Sequence, residues 1–432
     1  MRRLLSSLML CLALPAAAQE FTTLKGHGGP IMGLAVTDTG TLASASFDNS
    51  VGLWEGQVAQ WLEGHDAAVS TVAAFRPGVL LSGGDDFALW LWDGAAGQLL
   101  GTHKGKIQDI ASHGDTIATA SWDGSIGLWQ AVKWGQPASW NALRKDLSGH
   151  DAGVNAVAFS GDGQRLYSAS SDGTVRLWEE GGATSRGLVS NGFAINEIIV
   201  NEAEGWLAYG AVDGVTRMVD VETGEEIADF TLERRPILSM AYHAQSAQLA
   251  VGDGEGYIMM IDTRARRITR DFRAMRQGPV WALAFSNDGS VIHAGGIDDV
   301  IYAWPVALLD RFDPAGGETR SFLRDAETMG NGERQFMRKC SICHSLEAGS
   351  SRKAGPTLHG VFGRAAGTVQ GYRYSPTLDG SAITWDDGTI DALFDQGPDH
   401  YIPGSKMPMQ VIAKSQDRAD LIAFLRRATK ED

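Results

Sequence analysis

The sequence predicts an all-β propeller of seven four-stranded blades over residues 19–305, followed by a second, smaller domain. A sequence unit recurs roughly every 40 residues in the first part, and this period is typical of a four-stranded propeller blade. The repeat stops after residue 305, and a Cys-Xaa-Xaa-Cys-His pentad appears at Cys340–His344. A length of 432 residues is sufficient for two or three domains.

Each strong repeat unit contains an aspartate and, six residues later, a tryptophan. Four units have the complete pair: Asp48 and Trp54, Asp86 and Trp92, Asp123 and Trp129, Asp172 and Trp178. The same register continues in weaker form through three further units, which end at Val219, Ile261 and Trp304. Alternating apolar runs lead into Asp-Gly turns, as expected for antiparallel strands joined by tight turns. The aspartates are expected to hold backbone amides in these turns.

The strong units also open with a histidine, at His27, His65, His103 and His150. These units resemble the WD-repeat family, in which the N-terminal strand completes the last blade. We predict that Phe21–Leu24 does so here, because the seventh unit otherwise lacks an outer strand. The histidines suit a buried relay through a Ser or Thr to the blade tryptophan, rather than metal binding. Residues 131–144 are expected to be a surface insertion between blades three and four.

The pentad Cys340–His344 is the attachment signal for c-type haem. Two thiols one helical turn apart can add to the two vinyl groups of one haem edge, and the next residue is a histidine that can bind the iron. A zinc site would need more Cys or His at ligand spacing, and none follows. A redox dithiol would not need His344. The sequence therefore predicts one haem c, covalently bound through Cys340 and Cys343.

The residues around the pentad extend this interpretation to a whole domain. Residues from about 330 to 432 resemble class I cytochromes c, of the mitochondrial cytochrome c and bacterial cytochrome c2 group. The matching positions are Gly332, Phe336, Gly355, Pro356, 358–364, Gly371, Tyr372, Tyr374, Trp385, 401–404 and 418–425. The resemblance implies an all-α fold for residues 327–432, with a first helix over 327–339 that crosses the last helix.

The resemblance also implies a role for each candidate site residue. His344 would be the proximal iron ligand, and Met407 rather than Met409 the distal one; a thioether ligand favours ferrous iron. The carbonyl of Pro356 would accept a hydrogen bond from the His344 ring. The haem propionates would be held by Arg364, Tyr374 and Trp385, and an arginine suits carboxylates best.

The N-terminal sequence predicts that the protein is exported. Arg2 and Arg3 precede an apolar run, and Ala16–Ala18 offer small residues for cleavage, so residues 1–18 read as a signal peptide with Cys11 inside it. The run is too short to span a membrane. Thioether attachment normally occurs outside the cytoplasmic membrane, so we expect a periplasmic protein. Residues 306–326 are expected to be a partly ordered linker.

The distribution of charge limits which kinds of macromolecule can bind the propeller. The net charge is −15, and the excess of acidic residues lies before residue 330. An acidic propeller argues against nucleic acid or an anionic membrane as partner. It leaves open a basic redox protein, although most acidic surfaces simply maintain solubility. Asp399 and His400 replace lysines common in the related cytochromes, but Lys406 remains near the expected haem edge.

These features predict an electron carrier rather than a catalyst with its own substrate. Two filled axial positions leave no open site on the iron, so the domain would pass single electrons between periplasmic or membrane-bound redox proteins. The propeller would serve as a protein-docking platform. Two alternatives stay open: an oxidoreductase whose propeller holds a second cofactor or substrate, and a haem-based redox sensor whose propeller binds other proteins.

Overall fold

A computed structural model describes most of the chain from Phe21 onward. The described residues are 21–134, 139–179, 181–232, 236–275, 278–311, 329–349, 353–407 and 410–429. The predicted signal peptide, and Cys11 with it, lies outside these residues, as does most of the predicted linker. The linker's first residues, Val306–Arg311, form a 3-10 helix directly after the last strand.

The prediction of seven four-stranded blades is confirmed. An initial strand, β1 (Thr22–Lys25), precedes the first blade. Blade one is β2 (Ile31–Val36), β3 (Leu42–Ser46), β4 (Ser50–Glu55) and β5 (Val58–Glu63). Blade two is β6 (Val69–Arg76), β7 (Val79–Gly84), β8 (Ala88–Asp93) and β9 (Ala96–Thr102). Blade three is β10 (Ile107–His113), β11 (Thr116–Ser121), β12 (Ser125–Trp134) and β13 (Ser139–Ser148).

The remaining blades repeat this meander of consecutive antiparallel strands. Blade four is β14 (Val154–Phe159), β15 (Leu166–Ser170), β16 (Thr174–Glu179) and β17 (Thr184–Ser190). Blade five is β18 (Ile195–Asn201), β19 (Trp206–Ala211), β20 (Thr216–Asp220) and β21 (Glu226–Asp229). Blade six is β22 (Ile237–His243), β23 (Gln248–Asp253), β24 (Tyr257–Asp262) and β25 (Arg267–Arg273). Blade seven contains β26 (Val280–Phe285), β27 (Val291–Gly296) and β28 (Val300–Pro305).

The N-terminal strand closes the ring, as predicted. Strand β1 pairs antiparallel with β28, from Thr22 opposite Ala303 to Lys25 opposite Val300, and so supplies the outer strand of blade seven. The first strands of the blades contact one another in a closed circle, from β2 round to β26 and back to β2. Apolar residues of neighbouring blades pack between the sheets, so each blade buries its faces against the next.

The predicted histidine relay is present in the four strong blades. In blade one the His27 Nε2 lies 2.7 Å from the Ser44 hydroxyl, and that hydroxyl accepts a hydrogen bond from the Trp54 indole N–H at 2.8 Å. The same contacts occur through His65, Ser82 and Trp92, through His103, Thr119 and Trp129, and through His150, Ser168 and Trp178.

The repeat aspartates do more than hold turn amides. The Asp48 carboxylate accepts hydrogen bonds from the backbone N–H groups of Gly28 and Ser50, and it also lies 2.9 Å from the His27 Nδ1. Burial of Asp48 raises its carboxyl pKa, but the bonds from His27, Ser50 and Gly28 outweigh that effect, and the pKa is lowered. A neutral His27 can therefore donate from Nδ1 to Asp48 and accept at Nε2 from Ser44.

The expectation that residues 131–144 form a surface insertion between blades three and four is wrong. These residues lengthen the third and fourth strands of blade three, β12 and β13, which pair from Ser125 opposite Ser148 out to Trp134 opposite Ser139. The physical reason is that the two strands continue their backbone hydrogen bonds beyond the length used in the other blades. The segment 135–138 at the end of this hairpin lies outside the described residues.

The C-terminal domain is helical, as predicted. Its helices are α1 (Asn331–Lys339), α2 (Asp387–Gln396), α3 (Pro398–Tyr401) and α4 (Ser415–Ala428). The first helix starts later than expected: Gly330 is its N-cap, in an extended conformation. Helices α1 and α4 cross closely, since a Cβ at Gly332 would lie 2.0 Å from the carbonyl oxygen of Asp420. No helix in the described ranges is long and apolar enough to cross a membrane.

Two carboxyl groups on the innermost strands interact electrostatically. Asp109 lies on β10 and Glu197 on β18, and both strands belong to the inner circle of the propeller. Asp109 accepts hydrogen bonds from the backbone N–H of Val157 and of Ile110. Burial, and then the negative charge of Asp109, raise the pKa of Glu197 well above its usual value. Burial also raises the pKa of Asp109. An ionised Glu197 therefore destabilises the fold.

Removal of the relay hydroxyl tests how much the histidine relay contributes to stability. We expect Ser44→Ala to lower the free energy of unfolding by about 1–3 kcal/mol, because the buried Trp54 indole N–H then has no acceptor. Urea unfolding followed by circular dichroism measures this change. The exposed Ser185→Ala, on the outer strand β17, should change the value by less than about 0.5 kcal/mol. Equal effects of the two variants would contradict a relay role.

The carboxyl pair predicts a pH-dependent stability. Glu197 has a higher pKa folded than unfolded, so its destabilising effect is absent below the unfolded pKa and grows as the pH rises through the folded pKa. We therefore expect Glu197→Gln to raise the melting temperature at pH 7 and to lose that advantage near pH 4. The exposed Glu225→Gln is the control and should show neither effect. A destabilised Glu197→Gln at pH 7 would refute the interpretation.

Candidate haem site

One cavity in the helical domain brings together the residues that the sequence singled out. It has a volume of about 340 Å³, within the range of small-molecule sites. Its walls include the thiol residues Cys340 and Cys343, the imidazole of His344 and the thioether of Met407. Apolar side chains complete most of the lining, among them Leu358, Val361, Ile390, Leu393, Phe394 and Ile402.

Local helical geometry places the two thiols. Helix α1 ends at Lys339, and the chain continues in tight turns in which the His344 N–H donates to the carbonyl of Cys340 at 2.8 Å. The Cys343 N–H also donates to that carbonyl, at 3.0 Å. These turns set Cys340 and Cys343 beside the same cavity. Burial raises the pKa of the Cys340 thiol to about 12 and that of Cys343 to about 11.

The imidazole of His344 is held in one orientation. Its Nδ1 lies 2.7 Å from the carbonyl oxygen of Pro356, so Nδ1–H donates there and Nε2 keeps its lone pair for a metal. Burial lowers the pKa of His344, which keeps the ring neutral, as metal ligation requires. Gly355 makes this arrangement possible: a Cβ at that position would lie 2.4 Å from the ring.

Met407 reaches the cavity from the loop between α3 and α4. Its side chain packs against the apolar cluster that contains Phe394, Ile402 and Ile412. The Thr377 hydroxyl donates to the carbonyl of Pro403 at 2.7 Å and ties this loop to the preceding segment. Met409, the other methionine considered, lies outside the described residues.

The three residues assigned to the propionates are also cavity residues. Arg364, Tyr374 and Trp385 all line the cavity. The Arg364 guanidinium donates to the carbonyl oxygens of His359 and Thr357, at 2.7 and 2.8 Å, and this fixes its position. Trp385 is linked to Arg364 through the backbone, since its N–H donates to the Arg364 carbonyl.

Sequence reasoning missed two polar residues of the cavity. The Tyr372 hydroxyl donates to the carbonyl of Ala354 at 2.7 Å and braces the segment next to His344. The Ser375 hydroxyl is buried in the cavity wall and has no hydrogen-bond partner among the described residues. Tyr372 is a matching position of the family resemblance but carries no assigned role there, and no signal in the sequence distinguishes Ser375 from other serines.

The donor set fits a covalently attached haem. The cavity combines two thiols, one neutral imidazole and one thioether within apolar walls. Such walls suit a porphyrin, whereas Arg364 and the unpaired Ser375 hydroxyl suit its charged edge. In the part of the chain that the structure describes, no three His, Cys, Asp or Glu side chains are grouped so that they could hold a metal ion by themselves.

The propeller also contributes to this cavity, which the sequence did not predict. Loop residues of blades one and two form part of its lining: Phe47, Asn49, Asp66, Ala67, Ala68 and Asp85. The helical domain therefore lies against the propeller at the opening of the candidate haem site.

Comparisons with known proteins agree with this site. The family model "Cytochrome c" matches residues 330–429. Cytochrome c from Nigella damascena is 43% identical over 100 residues, which is 23% of this chain and 88% of the relative. Cytochrome c from Gossypium barbadense is 46% identical over 99 residues, 23% of this chain and 87% of the relative. The chain belongs to the cytochrome c family. Membership implies a covalently bound haem c and an electron-carrying role for the helical domain.

The cytochrome c domain is fused to WD40 repeats. The family model "WD domain, G-beta repeat" matches residues 18–55, 56–93, 97–130, 141–179 and 268–305. A solved structure, the WD40 beta propeller domain of Doa1, superimposes with a TM-score of 0.57 at 18% identity, covering 65% of this chain and 94% of that one. The likeness shows the fold. WD40 propellers of this kind suggest a role in protein–protein interaction.

The close approach at Gly355 predicts a strong effect of one methyl group. We expect Gly355→Ala to displace the His344 imidazole, to lower the yield of haem-loaded protein and to lower the melting temperature of the cytochrome domain. The haem absorption spectrum and calorimetry measure these changes. Gly388→Ala is the matched control, since a Cβ there meets nothing closer than 3.5 Å. A wild-type spectrum and stability for Gly355→Ala would show that the imidazole is not held as described.

Proposed function

We propose that this protein is an exported carrier of single electrons with one haem c. The haem would be attached through Cys340 and Cys343, with His344 and Met407 as axial ligands. The observation that supports this proposal is the convergence of these four side chains on one apolar cavity. They come from two segments more than 60 residues apart in the sequence.

Each ligand has a physical role in this proposal. Haem c supplies an iron that alternates between the ferrous and the ferric state. His344, kept neutral and fixed by Pro356, would bind the iron through Nε2, and Met407 would bind it through its soft sulfur. With both residues bound to the iron, small molecules would find no open coordination site, and this would favour electron transfer over catalysis.

The remaining cavity residues would control the environment of the haem. Arg364, Tyr374 and Trp385, with Ser375, would donate hydrogen bonds to the propionates. The apolar walls would exclude water, and this lowers the reorganisation that accompanies a change of iron charge. Tyr372 would support the segment on which Pro356 holds His344.

Export to a periplasm is part of the proposal. It rests on the basic and apolar character of residues 1–18 and on the compartment in which thioether bonds to haem are normally made. The propeller would be a docking platform for periplasmic or membrane-bound redox proteins. Its contact with the cavity opening also favours a second function, redox sensing, in which the haem state alters what the propeller binds.

An absorption spectrum of the exported protein tests the ligand set. We expect one haem per chain and the weak methionine-to-ferric-iron band. Met407→Ala should abolish that band and allow carbon monoxide to bind the ferrous protein, because the sixth position is then open. The reduction potential should fall, since the thioether no longer favours ferrous iron.

Met409→Ala provides the control for this experiment. It should retain the methionine band and should not bind carbon monoxide. Loss of the band in Met409→Ala, with Met407→Ala unchanged, would assign the distal ligand to Met409. Absence of covalent haem in the wild-type protein, or carbon monoxide binding by it, would refute the carrier proposal.

A further inference from the structure

Two cations of the cytochrome domain meet one carboxylate of the propeller. Asp66 lies in the loop that joins blades one and two. Its Oδ1 accepts a hydrogen bond from the Lys406 Nζ at 2.9 Å, and a second one from the Arg373 guanidinium. The same guanidinium nitrogen lies 3.2 Å from the carbonyl oxygens of Gly64 and His65. The contact is therefore specific to this loop.

Both cations belong to the rim of the haem cavity. Lys406 lines the cavity and precedes the candidate ligand Met407. Arg373 lies between Tyr372 and Tyr374, which are also lining residues. The Asp66 contact thus joins the propeller to the part of the cytochrome domain where an electron partner would approach the haem edge.

The propeller loops also cover this edge. Phe47, Ala67 and Ala68 contribute apolar surface to the cavity lining, and Asn49 contributes an amide. The Asn49 Oδ1 is buried without a hydrogen-bond partner among the described residues. A buried polar atom is normally paired, so this amide fits an interaction with the occupant of the cavity.

The electrostatic part of the contact is weak enough to be reversible. The side chains of Asp66 and Arg373 are 60% and 64% exposed, and that of Lys406 is 25% exposed. Exposed ion pairs contribute little to stability and are screened by salt. The covalent connection between the domains compensates for this weakness, because it gives the propeller a high effective concentration at the haem edge.

We propose that the propeller is an internal partner that docks on the haem edge through Asp66, and that external redox proteins must displace it. This inference rests on the proposed function, because it assumes a haem in the cavity. A displacing protein has to present carboxylates to Arg373 and Lys406 in place of Asp66. The electron partner at this edge is therefore an acidic redox protein, although the propeller as a whole is acidic.

Cross-linking of the wild-type protein tests the docking itself. A water-soluble carbodiimide couples a carboxylate to an amine that it contacts, so we expect an amide between Asp66 and Lys406, identified by mass spectrometry. The yield should fall at high salt. The charge-swapped Asp66→Lys/Lys406→Asp protein should form the same cross-link in the opposite sense. No cross-link at low salt in either protein would overturn the proposal.

Reduction kinetics test whether docking limits access to the haem. An acidic flavodoxin in its reduced form is the protein-sized reductant, and ascorbate is the small one. We expect flavodoxin to reduce the haem of the Asp66→Lys protein about five-fold faster than that of the wild type at low salt. This factor corresponds to the loss of roughly 1 kcal/mol of docking free energy. The two proteins should converge at high salt. Their rates with ascorbate should differ less than two-fold.

Asp151→Lys is the matched control. Asp151 follows His150 as Asp66 follows His65, and in both loops this residue's backbone N–H donates to the repeat aspartate. Among the described residues, no hydrogen bond or ion pair of the structure joins Asp151 to the cytochrome domain, so the Asp151→Lys substitution changes the net charge away from the docked edge. An equal acceleration in Asp151→Lys would show that only net charge matters and would overturn the proposal.

The outcomes separate this inference from the proposed function. Wild-type and Asp66→Lys proteins with the methionine band but equal flavodoxin rates would refute internal docking and leave the electron carrier intact. A protein without covalent haem would refute the proposed function. The cross-link would then still report whether the two domains meet through Asp66, because its formation does not depend on the haem.

Discussion

Pairing of β1 with β28 is the interaction on which the rest of the structure depends. Without it, blade seven would expose an unpaired strand edge and the circle of inner strands would be free to open. The pairing joins the start of the propeller to its end, so that the loops of blades one and two have fixed positions. Those loops form part of the haem cavity, and the geometry of the candidate site therefore depends indirectly on the closed ring.

The seven blades reach the same shape by two kinds of packing. Blades one to four each contain a buried tetrad of Asp, His, Ser or Thr, and Trp, whose hydrogen bonds fix the strands relative to the loops. Blades five and six lack it and rely on apolar contacts, such as those of Leu207, Tyr209 and Val219. The WD40 model leaves residues 180–267 unmatched, which include blade five and most of blade six, yet the sheets of both blades are complete. Apolar packing between neighbouring sheets is therefore sufficient to hold a blade in place where the closed ring already restricts its position.

The candidate haem site is built from contacts of very different strength. The inner wall consists of side chains fixed by short hydrogen bonds and close backbone approach, as at His344, Pro356 and Gly355. The outer boundary consists of propeller loops held by exposed ion pairs through Asp66. A rigid inner wall suits a cofactor that must not reorganise. A weak outer boundary suits a surface that has to exchange partners.

The sequence by itself determined the features that arise from local spacing. A blade is one repeat period long, so the repeat predicts the blades and, with the seventh unit one strand short, the closing strand. The placing of two thiols one turn apart beside a histidine depends only on backbone geometry, so the pentad was predictable as well. The tertiary structure alone decided the contacts of Asp66 with Arg373 and Lys406, the electrostatic interaction of Asp109 with Glu197, and the burial of the Ser375 hydroxyl. These residues are positioned by packing between blades, between domains or within the cytochrome fold, and such packing leaves no periodic signal in the chain.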